Sequence, residues 1–159
     1  MTRNEIRAGI SLLHLGNWSG TGFYTEQLIQ ALLLLENQGV HPIGLHPAGT
    51  QRAFDIDLHS VPSVRLRWPF RFGAELLAGG KKLGLDLIHY PAGVGPPRQD
   101  IPLLATIHDV SPFLLAECFP PHKAAYLRMA FTSVSRVAKL ILADSKWQSE
   151  RIVQTLDIP

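Results

Sequence analysis

Cysteine is almost absent from this sequence: Cys118 is the only one in 159 residues. A lone thiol cannot close an internal disulfide or form a CxxC redox pair, so a reducing compartment is expected. Net charge is nearly absent too, at +2 with histidine neutral. That is too little to argue for nucleic acid as a partner. No segment approaches the ~18 consecutive apolar residues of a membrane span. No HxxH, HExxH or paired cysteine occurs, so no metal is expected. No G-x-S-x-G elbow is present, which leaves a hydrolase triad without a nucleophile. Hydrophobic residues make up 46% and charged residues 18%. Those fractions and the length suit one globular domain with one core, and not a disordered chain.

The pattern along the chain alternates strands with helices. Ile6 to Leu15 reads as a buried first strand, broken by Gly16, Gly20 and Gly22. From Thr21 to Leu35, Phe23, Leu28, Ala31, Leu32 and Leu35 recur at helical spacing, and Gly39 is a stop signal. Val40 to Leu45 reads as a second strand. Val61 to Trp68 reads as a third, with Val64, Leu66 and Trp68 on one face and Arg65 and Arg67 on the other. Phe72 to Leu83 has a helical pattern weakened by Gly79 and Gly80. Asp86 to Tyr90 and Leu103 to Ile107 read as two more buried strands. Pro121 suits the first turn of a helix running to about Val137. Leu140 to Ala143 is a last strand, and Ser145 can cap a helix through Leu156.

Such alternation predicts an α/β fold: a Rossmann-like, mostly parallel sheet flanked by helices. Ligands of such sheets bind at the carboxyl ends of the strands, near the point where strand order reverses. That rule selects four loops: Gly16–Gly22, Pro91–Ile101, His108–Pro121 and Ser145–Gln148.

Two of these loops carry chemistry. In GNWSGTGFYT, glycines after a strand let backbone N–H groups approach an anion at a helix N-terminus. The G-x-G-x-x-G spacing is absent, and the second strand ends in Leu45-His46-Pro47 with no ribose-binding acid. A tight turn with no ligand explains the same glycines. In LLATIHDVSP, His108 and Asp109 directly follow a buried strand, where a side chain can reach a sugar hydroxyl or a phosphate oxygen. The plainer alternative is a histidine satisfied by neighbouring backbone, with Asp109 capping the next turn. Further on, His122, Lys123, Arg128, Arg136 and Lys139 mix with Tyr126, Leu127, Met129 and Phe131. Such a stretch can meet anionic lipid or an anionic acceptor, but a surface helix with one solvated face is its usual cause.

These pieces stand in an informative order. GTGFYTEQLIQAL, DLIHYPAGVGPP, IPLLATIHDVSPFLLAECFPP, YLRMAF and LILADSKWQSERIVQTLDIP together resemble the N-terminal domain of family-four, retaining GT-B glycosyltransferases, and most of all its mannosyltransferase-like members. The resemblance implies that residues 1–159 form an acceptor-side Rossmann-like domain. Gly20, Thr21 and Gly22 would then approach the donor phosphates. His108 would face the transferred sugar, Asp109 would support its loop, and Tyr24 and Ser145 would lie on the acceptor side. The donor-site motifs of that family belong to a C-terminal domain, and the sequence runs to Pro159 without reaching them. The expected partners are therefore a C-terminal GT-B domain or partner subunit, a nucleotide sugar as substrate, and a glycan or lipid-linked acceptor. No cofactor is implied. The expected location is cytoplasmic, with peripheral contact at the inner face of a membrane as its variant. A glycan- or lipid-acceptor-binding module without catalysis is one rival reading. A nucleotide-binding Rossmann domain of another class is the other.

Overall fold

The computed structural model describes residues 5–15, 19–35, 39–47, 57–61, 81–95 and 100–158. Six strands and four α-helices lie among them. They are β1 (Ile6–Ser11), α1 (Gly20–Leu34), β2 (Val40–Pro47), β3 (Asp57–Val61), β4 (Leu87–Tyr90), β5 (Leu103–Thr106), α2 (Ser111–Leu114), α3 (Pro121–Val137), β6 (Leu140–Leu142) and α4 (Lys146–Leu156). A short 3-10 turn, Ala116–Cys118, lies between α2 and α3. The strands form one sheet in the order β3-β2-β1-β4-β5-β6, and each adjacent pair is parallel. This is the Rossmann order, and the direction of strand addition reverses between β1 and β4.

Strand alternation sorts the core onto two faces. On one face Ala8, Ile10 and Leu12 pack with Ile29 of α1, joined by Leu28, Leu32, Leu33 and Leu87. On the other face Ile43, Leu45, Ile88, Tyr90, Leu103 and Ala105 pack with Phe131 and Val134 of α3 and Ile152 of α4. Burying one such side chain fully stabilises by about 1.5–3 kcal/mol. On α1 the buried residues are Gly22, Thr25 and Ile29, while Phe23 is 65% exposed. Of the stripe expected through Phe23, Leu28, Ala31, Leu32 and Leu35, Leu28 and Leu32 pack on the core, while Phe23, Ala31 and Leu35 are exposed, so the packing face is centred nearer Thr25 and Ile29. The helix is apolar on several sides, so spacing alone does not choose between faces. Thr25 can enter the core because its hydroxyl donates to the Thr21 carbonyl at 2.8 Å.

Several boundaries also shift. The first strand stops at Ser11, because Leu12 to Leu15 close a turn through Leu15 N–H to the Leu12 carbonyl, 3.0 Å. The strand expected over Val61–Trp68 appears instead as Asp57–Val61, and positions 62–68 lie outside the described residues. Of the helix expected over Phe72–Leu83, positions 72–80 lie outside the described residues, while Lys81 to Gly84 form a turn. By contrast α3 and α4 occupy the spans expected, from Pro121 at the first helical position and from the Ser145 cap. On α3 His122, Lys123, Arg136 and Lys139 near its end are exposed, opposite buried Ala124, Ala130, Phe131 and Val134. Arg128 is taken up internally: its Nε donates to the Pro112 carbonyl at 2.6 Å. No helix among the described residues is long and apolar enough to cross a membrane.

Candidate functional site

The carboxyl ends of β1, β4, β5 and β6 lie side by side along one edge of the sheet, and strand order reverses between β1 and β4, beside the first turn of α1. Alternation puts Leu87 and His89 of β4 on the α1 side of the sheet, and Leu104 and Thr106 of β5 likewise. The contacts follow from that placement. His89 is 5% exposed, and its Nε2 lies 2.8 Å from the Thr106 hydroxyl. The same hydroxyl lies 3.0 Å from the Tyr24 hydroxyl of α1. A buried polar chain, His89–Thr106–Tyr24, thus ties α1 to β4 and β5. Burial, and then the charge of His108, hold the His89 pKa down at about 4, so the ring is neutral near pH 7. The same two causes, in the same order, lower the pKa of His14, in the turn after β1.

His108 stands just past β5. Its Nε2 is 2.8 Å from the Pro91 carbonyl oxygen, after β4. A carbonyl only accepts, so this nitrogen carries a proton and donates. Its Nδ1 is 3.0 and 3.1 Å from the two carboxylate oxygens of Asp144, after β6. Tyr24 meets the imidazole edge-on, with ring centroids 4.8 Å apart and planes at 80°. Four elements therefore converge on one ring. The His108 side chain is 21% exposed and that of Asp144 49%.

The other expected residues are placed as follows. The Asp109 carboxylate accepts from the Ser111 N–H at 2.7 Å and so starts α2. It is not the partner of His108. Ser145 caps α4, its hydroxyl accepting from the Gln148 N–H at 3.2 Å, and holds Asp144 at the mouth of that helix. Gly20, Thr21 and Gly22 form the first turn of α1, with Ser19 as cap. The Gly22 N–H reaches the Ser19 hydroxyl at 3.4 Å. A Cβ built on Gly20 would meet nothing within 4 Å. The chain's own packing therefore does not demand glycine there. Gly16–Trp18 of the same loop lie outside the described residues.

The structure brings His108 and Tyr24 together, with the first turn of α1 and Ser145 on the same edge, and points Asp109 elsewhere. It adds His14, His89, Thr106 and Asp144. Asp144 could have been found by the rule that found His108, because it ends the apolar run LILA. The loop selected there began one residue late, at Ser145. His89 offered no comparable signal, being one residue within a buried strand. Among the described residues, no group of three His, Cys, Asp or Glu is placed to hold a metal ion. Exposed apolar side chains follow the same strand ends: Phe23 at 65%, Leu114 at 54%, Leu115 at 49% and Trp147 at 61%. No protein-family model matches the chain, and no curated protein matches it.

Proposed function

We propose that this chain is the acceptor-side half of a retaining, nucleotide-sugar-dependent glycosyltransferase, with its carboxyl edge as one wall of the cleft. One observation carries the reading: His108, Asp144 and Tyr24 converge on the carboxyl edge of the sheet, on the β4–β6 side of the reversal of strand order. A carboxylate and an aromatic ring suit a polyhydroxylated ligand. The first turn of α1, with open space at Gly20, suits a phosphate through its backbone N–H groups. Among the described residues the edge supplies few cations for a leaving diphosphate, and such transfer needs that charge stabilised. A C-terminal GT-B domain or partner chain would supply it. Phe23, Leu114, Leu115 and Trp147 would meet that partner. The chain would act in the cytoplasm, with the inner membrane face as the place of a lipid-linked acceptor.

The test is a titration of the 15N-labelled chain with GDP-mannose, UDP-glucose and NAD. The reading expects shifts at Gly20–Tyr24 and at His108 and Asp144 with the sugar nucleotides, and affinities no tighter than about 1 mM. It expects sugar transfer only after a donor-binding C-terminal domain is added. Tight NAD binding, with no response to either sugar nucleotide, would replace it by an oxidoreductase or regulatory Rossmann domain. Binding of glycan with no transfer in any completed form would leave a binding module.

A further inference from the structure

His108 has nothing left to offer a ligand through its nitrogens. Nε2 donates to the Pro91 carbonyl at 2.8 Å, and Nδ1 faces both Asp144 oxygens at 3.0 and 3.1 Å. With Asp144 ionised, both contacts are made together only when each nitrogen carries a proton. One side of the ring is further occupied by the edge of Tyr24. Asp144 is in the opposite position. An ionised carboxylate has about four lone-pair sites, and one N–H of His108 uses a minority of them. Its side chain is 49% exposed, against 21% for His108, so the remaining sites face outward. Its backbone is fixed by the cap that Ser145 places on α4.

We propose that Asp144, and not His108, is the group at this edge that takes a hydroxyl of the sugar, with His108 as its positioning residue. This rests on the glycosyltransferase reading and names the part of the ligand that meets β6. An ionised carboxylate accepts and does not donate, so the ligand brings the donor. The carboxylate has no donor to offer a phosphate. Hydroxyls are thus selected at the end of β6, while any phosphate is directed to the first turn of α1. His108 keeps the carboxylate aimed, and the Pro91 carbonyl keeps His108 aimed. The loops after β4, β5 and β6 act as one unit.

The experiment uses the 15N-labelled full chain and three probes: methyl α-D-mannopyranoside, methyl α-D-glucopyranoside and inorganic phosphate. Long-range 1H–15N spectra of the imidazoles report how many His108 nitrogens are protonated. In the wild type Nε2 is expected to carry a proton, because the Pro91 carbonyl it faces only accepts. Amide spectra should show a methyl glycoside perturbing Asp144 and its neighbours, while phosphate leaves Asp144 unmoved. Asp144→Ala should weaken the glycoside at least about tenfold, or roughly 1.4 kcal/mol. Asp144→Asn, which preserves shape and serves if the alanine variant misfolds, should weaken it less. His108→Ala should weaken it as well, and His108→Gln, whose amide can donate to Asp144, should recover part of the loss. Unchanged glycoside affinity in folded Asp144→Asn and Asp144→Ala would overturn the proposal and leave the transferase reading standing. So would glycoside-induced shifts confined to the His108 nitrogens. If the wild type bound neither glycoside at this edge, the sugar reading would fall and the role of Asp144 with it.

Discussion

Acid should act on this fold through His89. The ring is 5% exposed and held at a pKa of about 4, against 6.5 for an unhindered histidine, mainly because burial opposes its charge. The folded pKa lies below the unfolded one, so between these values the unfolded chain binds more protons. Stability from this group is therefore fully present above about pH 6.5 and is lost as pH falls toward 4. Each unit of difference is worth about 1.4 kcal/mol, so the loss is about 3 kcal/mol. Against a total of about 5–15 kcal/mol for a domain, that is a large share. His14 has its pKa lowered in the same direction, so the raw pH curve mixes more than one group. His89→Gln isolates one of them, because its amide can still meet the Thr106 hydroxyl but does not titrate. Urea unfolding followed by circular dichroism at steps from pH 7.5 to 3.5 gives both curves. The wild type should lose about 3 kcal/mol more than the variant between pH 7 and 4, and the two curves should run parallel below that. A difference below about 1 kcal/mol would refute the reasoning, since it would mean that His89 charges in place.

Two further substitutions probe the same edge. Thr106→Val keeps the β-branched shape but removes the hydroxyl shared by His89 and Tyr24. It should cost about 2–3 kcal/mol and lower Tm by roughly 4–12 °C, with a loss under about 0.5 kcal/mol counting against the buried polar chain. Gly93→Ala places a Cβ at φ +65°, 3.1 Å from the Thr106 carbonyl and from Ile107, and 3.2 Å from Phe131. Left-handed strain and overpacking together should cost about 2–4 kcal/mol by urea unfolding, and a neutral result would mean that the loop after β4 shifts freely.

Some of this was legible in the sequence, for reasons tied to particular residues. Pro121 and Ser145 announce helix starts through local chemistry, and α3 and α4 begin where they stand. The parallel sheet followed from alternation alone, and His108 from its place after an apolar strand. Three things were not legible. The end of β1 depends on a turn among Leu12–Leu15, which look as apolar as the strand itself. The buried side of α1 depends on which sheet residues it meets, because its own pattern is apolar nearly all round. The partners of His108 come from loops after two other strands, Pro91 and Asp144, and such pairing is a property of the sheet order. Asp109 beside it in sequence was the natural candidate, but its carboxylate turns back to its own helix start.

The strand order also sets a schedule. β1 pairs with β2 on one side and with β4, at Ala8↔Leu87, on the other. The hydrogen bond from Tyr24 to Thr106 joins residues 82 apart. At about 5–20 residues per second, a ribosome needs roughly 4–16 s to cross that gap. Within that interval, after β2 ends at Pro47 and before β4 is made at Leu87–Tyr90, β1, α1 and β2 have been synthesised while β4, the second neighbour of β1, has not, and one edge of the strand that becomes central is open. Such an edge is a template for wrong pairing. Non-local parallel closure is also slow. The carboxyl edge around His108 is completed late in this sequence of events, because it needs the loops after β4, β5 and β6 at once. Occupancy of the His108–Asp144 contact is thus a readout of complete folding, and a nascent chain arrested before β5 has no site to show.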